Sequence, residues 1–154
     1  MSADQAVTAL ERAVRSLGAA EQSPGPPPGL GVDVVDVRRL RAAVLRRGDA
    51  LADRLLTPTE RELCRGRSGR YRVQCLAGRV AAKEAVRKTL GAHGEGLGWQ
   101  DVEIGRGARG EPVPRLSERA ERALRDAGLS RLRLSISHEA EVAVAVAMAV
   151  PAAD

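Results

Sequence analysis

The chain contains no phenylalanine, and Tyr71 and Trp99 are its only aromatic residues among 154. A core of this composition is built from Val, Leu and Ala. Two aromatics also cannot form the stacking platform that single-stranded nucleic acid requires. Cysteine is equally scarce. Ten residues separate Cys64 from Cys75, with no CxxC pair and no neighbouring histidine, so neither a zinc site nor a disulfide framework is indicated and two reduced thiols are expected. No apolar run approaches the roughly 20 residues of a membrane span, and the first thirty residues hold no uninterrupted apolar stretch of the secretory kind. The expectation is a soluble, unexported, cytoplasmic protein. Lysine is the last shortage: the 25 basic residues include only Lys83 and Lys88, so 23 are arginines.

Those two lysines lie in the most distinctive stretch of the chain, LAGRVAAKEAVRKTL, from Leu76 to Leu90. Its spacing predicts one helix presenting Arg79, Lys83, Glu84 and Lys88. Elsewhere arginine supplies the positive charge, so two compact ammonium groups beside a glutamate suggest a site that uses point charges rather than guanidinium forks. The same residues also fit an ordinary Glu84–Lys88 surface pair, worth a few tenths of a kcal/mol. Small Ala77 and Ala81 on the side of Glu84 leave room for another element to approach the carboxylate.

At 154 residues, 44% hydrophobic and 29% charged, the chain fits one domain burying roughly two-thirds of its unfolded surface. Val7, Leu10, Val14 and Leu17 recur at helical spacing before the run SPGPPPG. An N-terminal helix on a proline-rich linker is expected over residues 1–29, ahead of the domain proper over 30–150. GLGVDVV reads as a strand with Asp33 opposite the valines. Val37, Leu40 and Val44 mark a helix ending before Gly48, and TPTE from Thr57 is a capping box with proline at the first helical position. GAHGEGLG is expected to be a loop with His93 in solvent. Trp99 to Ile104 alternates as a strand, and GRGARGEP turns the chain; glutamate and proline replace the lysine and hydroxyl that a phosphate-binding loop needs at Glu111 and Pro112. A helix capped by Ser117 and ended by Gly128 precedes a hairpin, RLRLSISH followed by the alternation of valine and alanine from Val142 to Val150. That second strand is expected to be buried on both faces. His138 closes the first, as a plain turn residue or an anion contact.

Charge is concentrated early. From Arg38 to Arg72 there are eleven basic and four acidic residues. The stretch reads as a docking face for an acidic partner or as a solvated surface; nucleic acid is disfavoured, since no zinc-finger, RNA-recognition or basic-zipper pattern is present.

GLGVDVVDVRRL, LTPTE, LAGRVAAKEAVRK, WQDVEI, a GEP turn and SISHE occur in this order. In that register the chain from Leu30 to Val150 resembles the small bacterial holo-acyl-carrier-protein synthases, which are 4'-phosphopantetheinyl transferases. Val80 departs from the family pattern, where an aromatic usually precedes AAKEA, and the first 29 residues have no counterpart in its shortest members. The resemblance implies an α+β fold with an antiparallel sheet and a long central helix, assembled as a homotrimer. It also implies transfer of the phosphopantetheine arm of coenzyme A to a serine on an acidic acyl carrier protein, with adenosine bisphosphate released. Carriers of fatty-acid, polyketide or peptide pathways are the implied substrates.

By match to the family motifs, Asp33 and Glu84 are the magnesium ligands, and with Lys88 they form the catalytic group. Magnesium takes one or two carboxylates and completes its shell with water and phosphate. Arg79, Lys83, Lys88 and His138 resemble positions near coenzyme A phosphates. Arg39, Arg46 and Leu51 match carrier contacts. Either a magnesium-bound water or Glu84 takes the serine proton. A noncatalytic carrier-binding member of the fold and a basic nucleic-acid module remain the alternatives, and the intact Asp33, Glu84 and Lys88 weigh against the former.

Overall fold

The computed structural model describes residues 29–152, with Thr8 and Arg12 before them, both helical. The remainder of the expected N-terminal helix and linker lies outside the described residues. The architecture is α+β. Three antiparallel strands, β1 (Gly29–Asp36), β4 (Leu129–Glu139) and β5 (Val142–Pro151), form a sheet in the order β1-β5-β4. β2 (Val102–Arg106) and β3 (Pro112–Leu116) form a separate hairpin. The helices are α1 (Val37–Arg47), α2 (Asp49–Leu55), α3 (Pro58–Cys64), α4 (Val73–Thr89) and α5 (Glu118–Asp126).

α4 is the helix expected over Leu76–Leu90, and it lies on the sheet. Its Ala81, Ala82, Ala85 and Val86 pack with Val102 and Ile104 of β2 and Ala145 and Ala147 of β5. Small residues on both sides bring the backbones close together. Gly31 shows how close, because a Cβ there would lie 1.9 Å from the Ala85 carbonyl oxygen. The glycines of GLG are therefore a packing requirement of β1 against α4.

The capping signals at Gly48, Thr57 and Ser117 hold, and Asp36 adds one not anticipated from the sequence. Asp36 accepts from the backbone of Arg38 and Arg39 at the start of α1, and Gly48 ends that helix at φ +59°. Thr57 and Glu60 close the capping box of α3, and Ser117 caps α5.

Two local expectations need correction. The β2 strand starts at Val102, not Trp99, because Asp101 turns its carboxylate back to the Gly98 N–H at 2.7 Å. The loop after α4 contains one 3-10 turn, Gly91–Gly94, with His93 exposed as expected. A third correction concerns β5. Its alanines, Ala143, Ala145, Ala147 and Ala149, are fully buried under α4, whereas Val142, Val144, Val146 and Val150 are only half-buried and Met148 is 40% exposed. One face of this strand is fully covered within the chain; the other is covered only in part. No described helix is long and apolar enough to cross a membrane.

Candidate active site

Asp33 pairs with Ala145 across β1–β5, which turns its side chain to the α4 side of the sheet. There Lys88 Nζ donates to Asp33 Oδ1 at 3.1 Å and to the Val32 carbonyl at 2.9 Å. Glu84 lies one turn before Lys88 on α4, its Oε1 accepting from Arg87 at 2.9 Å. The strand and the helix thus bring Asp33 and Lys88 together, with Glu84 one turn away on the helix. Burial pushes the Asp33 carboxyl above its ordinary value, and the Lys88 contact and the Val34 N–H oppose that shift. A cation beside Asp33 would oppose it further.

This donor set fits magnesium. Asp33 and Glu84 offer hard oxygens, both side chains are partly open at 18% and 29% exposure, and two carboxylates match an ion that takes its other ligands from water and phosphate. Among the described residues no group of three or more His, Cys, Asp or Glu is arranged as a protein cage.

Lys83 has a different place from the one expected. It is 1% exposed, and its ammonium donates to Glu60 Oε2 at 2.6 Å, the Leu55 carbonyl at 2.9 Å and the Trp99 carbonyl at 2.6 Å. An ammonium has three N–H donors, and all three are spent inside the protein. The phosphate contact expected of Lys83 is therefore not made from this position. Burial pushes its pKa down, with Glu60 opposing. Glu60 in turn accepts from the backbone of Thr57 at 2.8 Å and Ile104 at 2.7 Å, so one buried carboxylate ties α3, α4 and β2 together.

Arg79 and His138 line one cavity of about 360 Å³, along with Cys75, Arg106 and Pro112. Arg79 is nearly buried; its Nε donates to the Ile104 carbonyl at 3.1 Å and its Nη1 to Cys75 Sγ at 2.9 Å. His138, opposite Ala143 in the hairpin, is exposed. Val80 packs beside Trp99 and Leu76 in the apolar cluster below this wall.

On α1, Arg39 and Arg46 are exposed and, with Arg47, have no ion-pair partner among the described residues. Arg38 and Arg41 instead meet Glu141 of the β4–β5 turn at 2.9 and 3.6 Å. Leu51 is half-buried against the Leu55–Leu56 cluster. Leu45, which the sequence reading passed over, is 81% exposed between these arginines. Its only signal was an apolar residue off the Val37–Leu40–Val44 stripe.

Residues 29–147 match the 4'-phosphopantetheinyl transferase superfamily. The holo-[acyl-carrier-protein] synthase of Desulforudis audaxviator is 48% identical over 122 residues, 79% of this chain and 92% of that protein. That of Halothermothrix orenii is 38% identical over 115 residues, 75% and 90% respectively. Among solved structures, the Helicobacter pylori synthase in complex with coenzyme A superimposes with a TM-score of 0.66 at 29% identity, covering 79% of this chain and 99% of that one. The Neisseria meningitidis synthase gives 0.67 at 32% identity, covering 79% and 97%. With this match along nearly the whole described fold, the chain belongs to the holo-[acyl-carrier-protein] synthase family of 4'-phosphopantetheinyl transferases.

Proposed function

We propose that this enzyme transfers the 4'-phosphopantetheine arm of coenzyme A to a serine of an apo acyl carrier protein, releasing adenosine 3',5'-bisphosphate. The observation that carries the reading is the Lys88–Asp33 contact where β1 meets α4, with Glu84 one turn before Lys88 on that helix. Arg79 lies nine residues before Lys88 on the same helix, about 13 Å of rise. That spacing is about two and a half turns, so the two cations leave the helix on different sides; the coenzyme A complex of the Helicobacter pylori relative supports coenzyme A as the ligand.

Asp33 and Glu84 would hold magnesium, which when bound polarises the diphosphate and offsets the charge gathering on the leaving phosphate. Lys88 positions Asp33 and brings its own charge to the same edge. Arg79, fixed by Ile104 and Cys75, and His138 supply the cation and ring of the nucleotide-side wall. Sealed under Glu60, Lys83 holds α4 in place rather than touching substrate.

The carrier would dock on α1. Arg39, Arg46 and Arg47 offer charge free of ion pairs among the described residues, which steers and orients an acidic partner, and Leu45 offers an apolar point among them. The active assembly is proposed to be a homotrimer closed through the partly covered valine face of the sheet. A cytoplasmic location accords with this role. The test is to incubate the protein with coenzyme A, magnesium and an apo carrier and to weigh the carrier. A gain of one phosphopantetheine arm is expected; an unchanged mass overturns the reading.

A further inference from the structure

Neither cysteine has a part in that transfer, yet the fold places them together. Cys64 closes α3 and Cys75 lies in the first turn of α4. The intervening bend is held by the Arg65–Tyr71 bridge and by the Arg72 N–H on the Cys64 carbonyl at 2.9 Å. As a result Cys64 Sγ donates to Cys75 Sγ across 3.0 Å. About 1 Å of closure separates this contact from a disulfide bond.

The two thiols are not equivalent. Cys64 is fully buried, and its hydrogen bond to Cys75 and its burial push its pKa up. Cys75 is half-buried and lines the cavity beside Arg79. Its sulfur accepts from Cys64, from Arg79 Nη1 at 2.9 Å and more distantly from Arg72 Nη2 at 3.9 Å. The Cys64 hydrogen bond first, then Arg79 and Arg72, hold Cys75 down to about 6. The free N–H groups of the α4 first turn favour the anion in the same direction. A cavity-lining thiol of lowered pKa backed by a buried, protonated thiol is the arrangement of an attacking and a resolving cysteine.

We propose that Cys64 and Cys75 form a redox-active dithiol on the wall of the Arg79 cavity, with Cys75 as the attacking sulfur and a low-molecular-weight disulfide as oxidant. In the first step the Cys75 thiolate attacks one sulfur of the oxidant; a new S–S bond forms, the oxidant's own S–S bond breaks, and one thiolate leaves. Cys64 then attacks the Cys75 sulfur; the S–S bond of the mixed disulfide breaks, and the departing second thiolate takes up the Cys64 proton. The two cysteines are oxidised and the oxidant is reduced to two thiols. Arg79 thereby loses an anionic neighbour, which couples the redox state of the pair to the charge of the cavity.

The test uses the full chain and oxidised glutathione. After incubation, the protein is acid-quenched, unfolded, alkylated and weighed. The wild type is expected to lose two hydrogens and to take no alkyl group, and thiol reductant should restore both sites. Cys64→Ser, checked by circular dichroism for folding, is expected to retain one glutathionyl group on Cys75, whereas folded Cys75→Ser should gain none. A wild type that keeps two alkylatable thiols overturns the proposal without reliance on any variant. Glutathionylation of folded Cys75→Ser at the rate of Cys64→Ser overturns the assigned order of attack.

Discussion

The Lys83 ammonium stands 2.6 Å from Glu60 Oε2 with both side chains essentially sealed from solvent, whereas Lys88, five residues along the same helix, is about half exposed on Asp33. The two lysines should therefore fail differently. Removing one member of a buried pair strands the other charge and costs about 3–5 kcal/mol, so Lys83→Met should lower the denaturation midpoint sharply. Lys88→Met removes an exposed contact worth about 1 kcal/mol or less, but should slow transfer roughly a hundredfold. Denaturant titration and initial rates on both variants check the split. Equal stability losses would show that Lys83 is not the pillar.

The paired carboxylates predict a magnesium phenotype. Asp33→Asn and Glu84→Gln should each lower turnover by roughly a hundredfold or more and move the magnesium concentration needed for half-maximal rate upward. Circular dichroism should stay unchanged, because both side chains lie at a partly open edge. A folded Glu84→Gln enzyme with near-normal rate and magnesium response would sink the metal assignment.

Much of this layout was legible because it is local. The alternation of GLGVDV placed Asp33 away from Val32 and Val34, and the capping box at Thr57 needed only four residues. What makes Glu60 and Lys83 a pair is not local. The acceptors of Lys83 come from Leu55 and Trp99, at the end of α2 and in the loop before β2, and no spacing rule joins such segments. AAKEA therefore read as a row of ligands when one of its charges is internal. The valine–alanine alternation of β5 raised a related difficulty. Two apolar faces are visible in a sequence, but which face a helix covers is decided by tertiary packing, and here α4 takes the alanines. The Arg38 and Arg41 pairs with Glu141 are likewise made across a turn distant in sequence.

The basic face predicts a selective defect. Arg39→Glu with Arg46→Glu should lower kcat/KM for the carrier at least about tenfold while the KM for coenzyme A barely moves, since such rim charges act chiefly on encounter. Salt should reproduce the loss in the parent enzyme, because exposed charges are screened beyond about 10 Å at 0.1 M. Leu45→Ser should weaken carrier binding without acquiring salt sensitivity of its own. Carrier kinetics insensitive to all three changes would leave α1 a solvated surface.

Acid stability should depend on Glu103. Its carboxylate accepts from the Thr57 hydroxyl at 2.6 Å and from Arg115 at 3.1 Å, and the Thr57 hydrogen bond foremost holds it below the ordinary 4.5. The folded state thus prefers the charged form more than the unfolded chain does. Its stabilisation is present above 4.5 and is lost as pH falls through the depressed value. The exposed side of this group keeps the effect to about 1 kcal/mol. The stability gap between the parent and Glu103→Gln should stay constant near neutrality and close in acid; a gap that widens below pH 4.5 would reverse the assignment.

The partly covered face of the sheet makes the last prediction, a homotrimer with sites completed between subunits. The register places Leu30, Val32 and Val34 of β1 beside Met148, Val146 and Val144 of β5 on the side away from α4. Across β5, Ser135 and Ser137 of β4 continue that face with small side chains. An apolar strip rimmed by polar residues is what a subunit contact requires. The chain also has one GVD strand and one AAKEA helix, so a site with two walls draws the second from a neighbouring copy, and closed symmetry is the usual outcome for soluble homo-oligomers. Light scattering should report three chains per particle, with activity falling on dilution below the dissociation range. Val146→Asp puts a charge at the centre of the strip and should yield folded monomers with little transferase activity, while magnesium still binds at Asp33 and Glu84. A monomer of full activity would refute the shared site and leave the metal edge untouched.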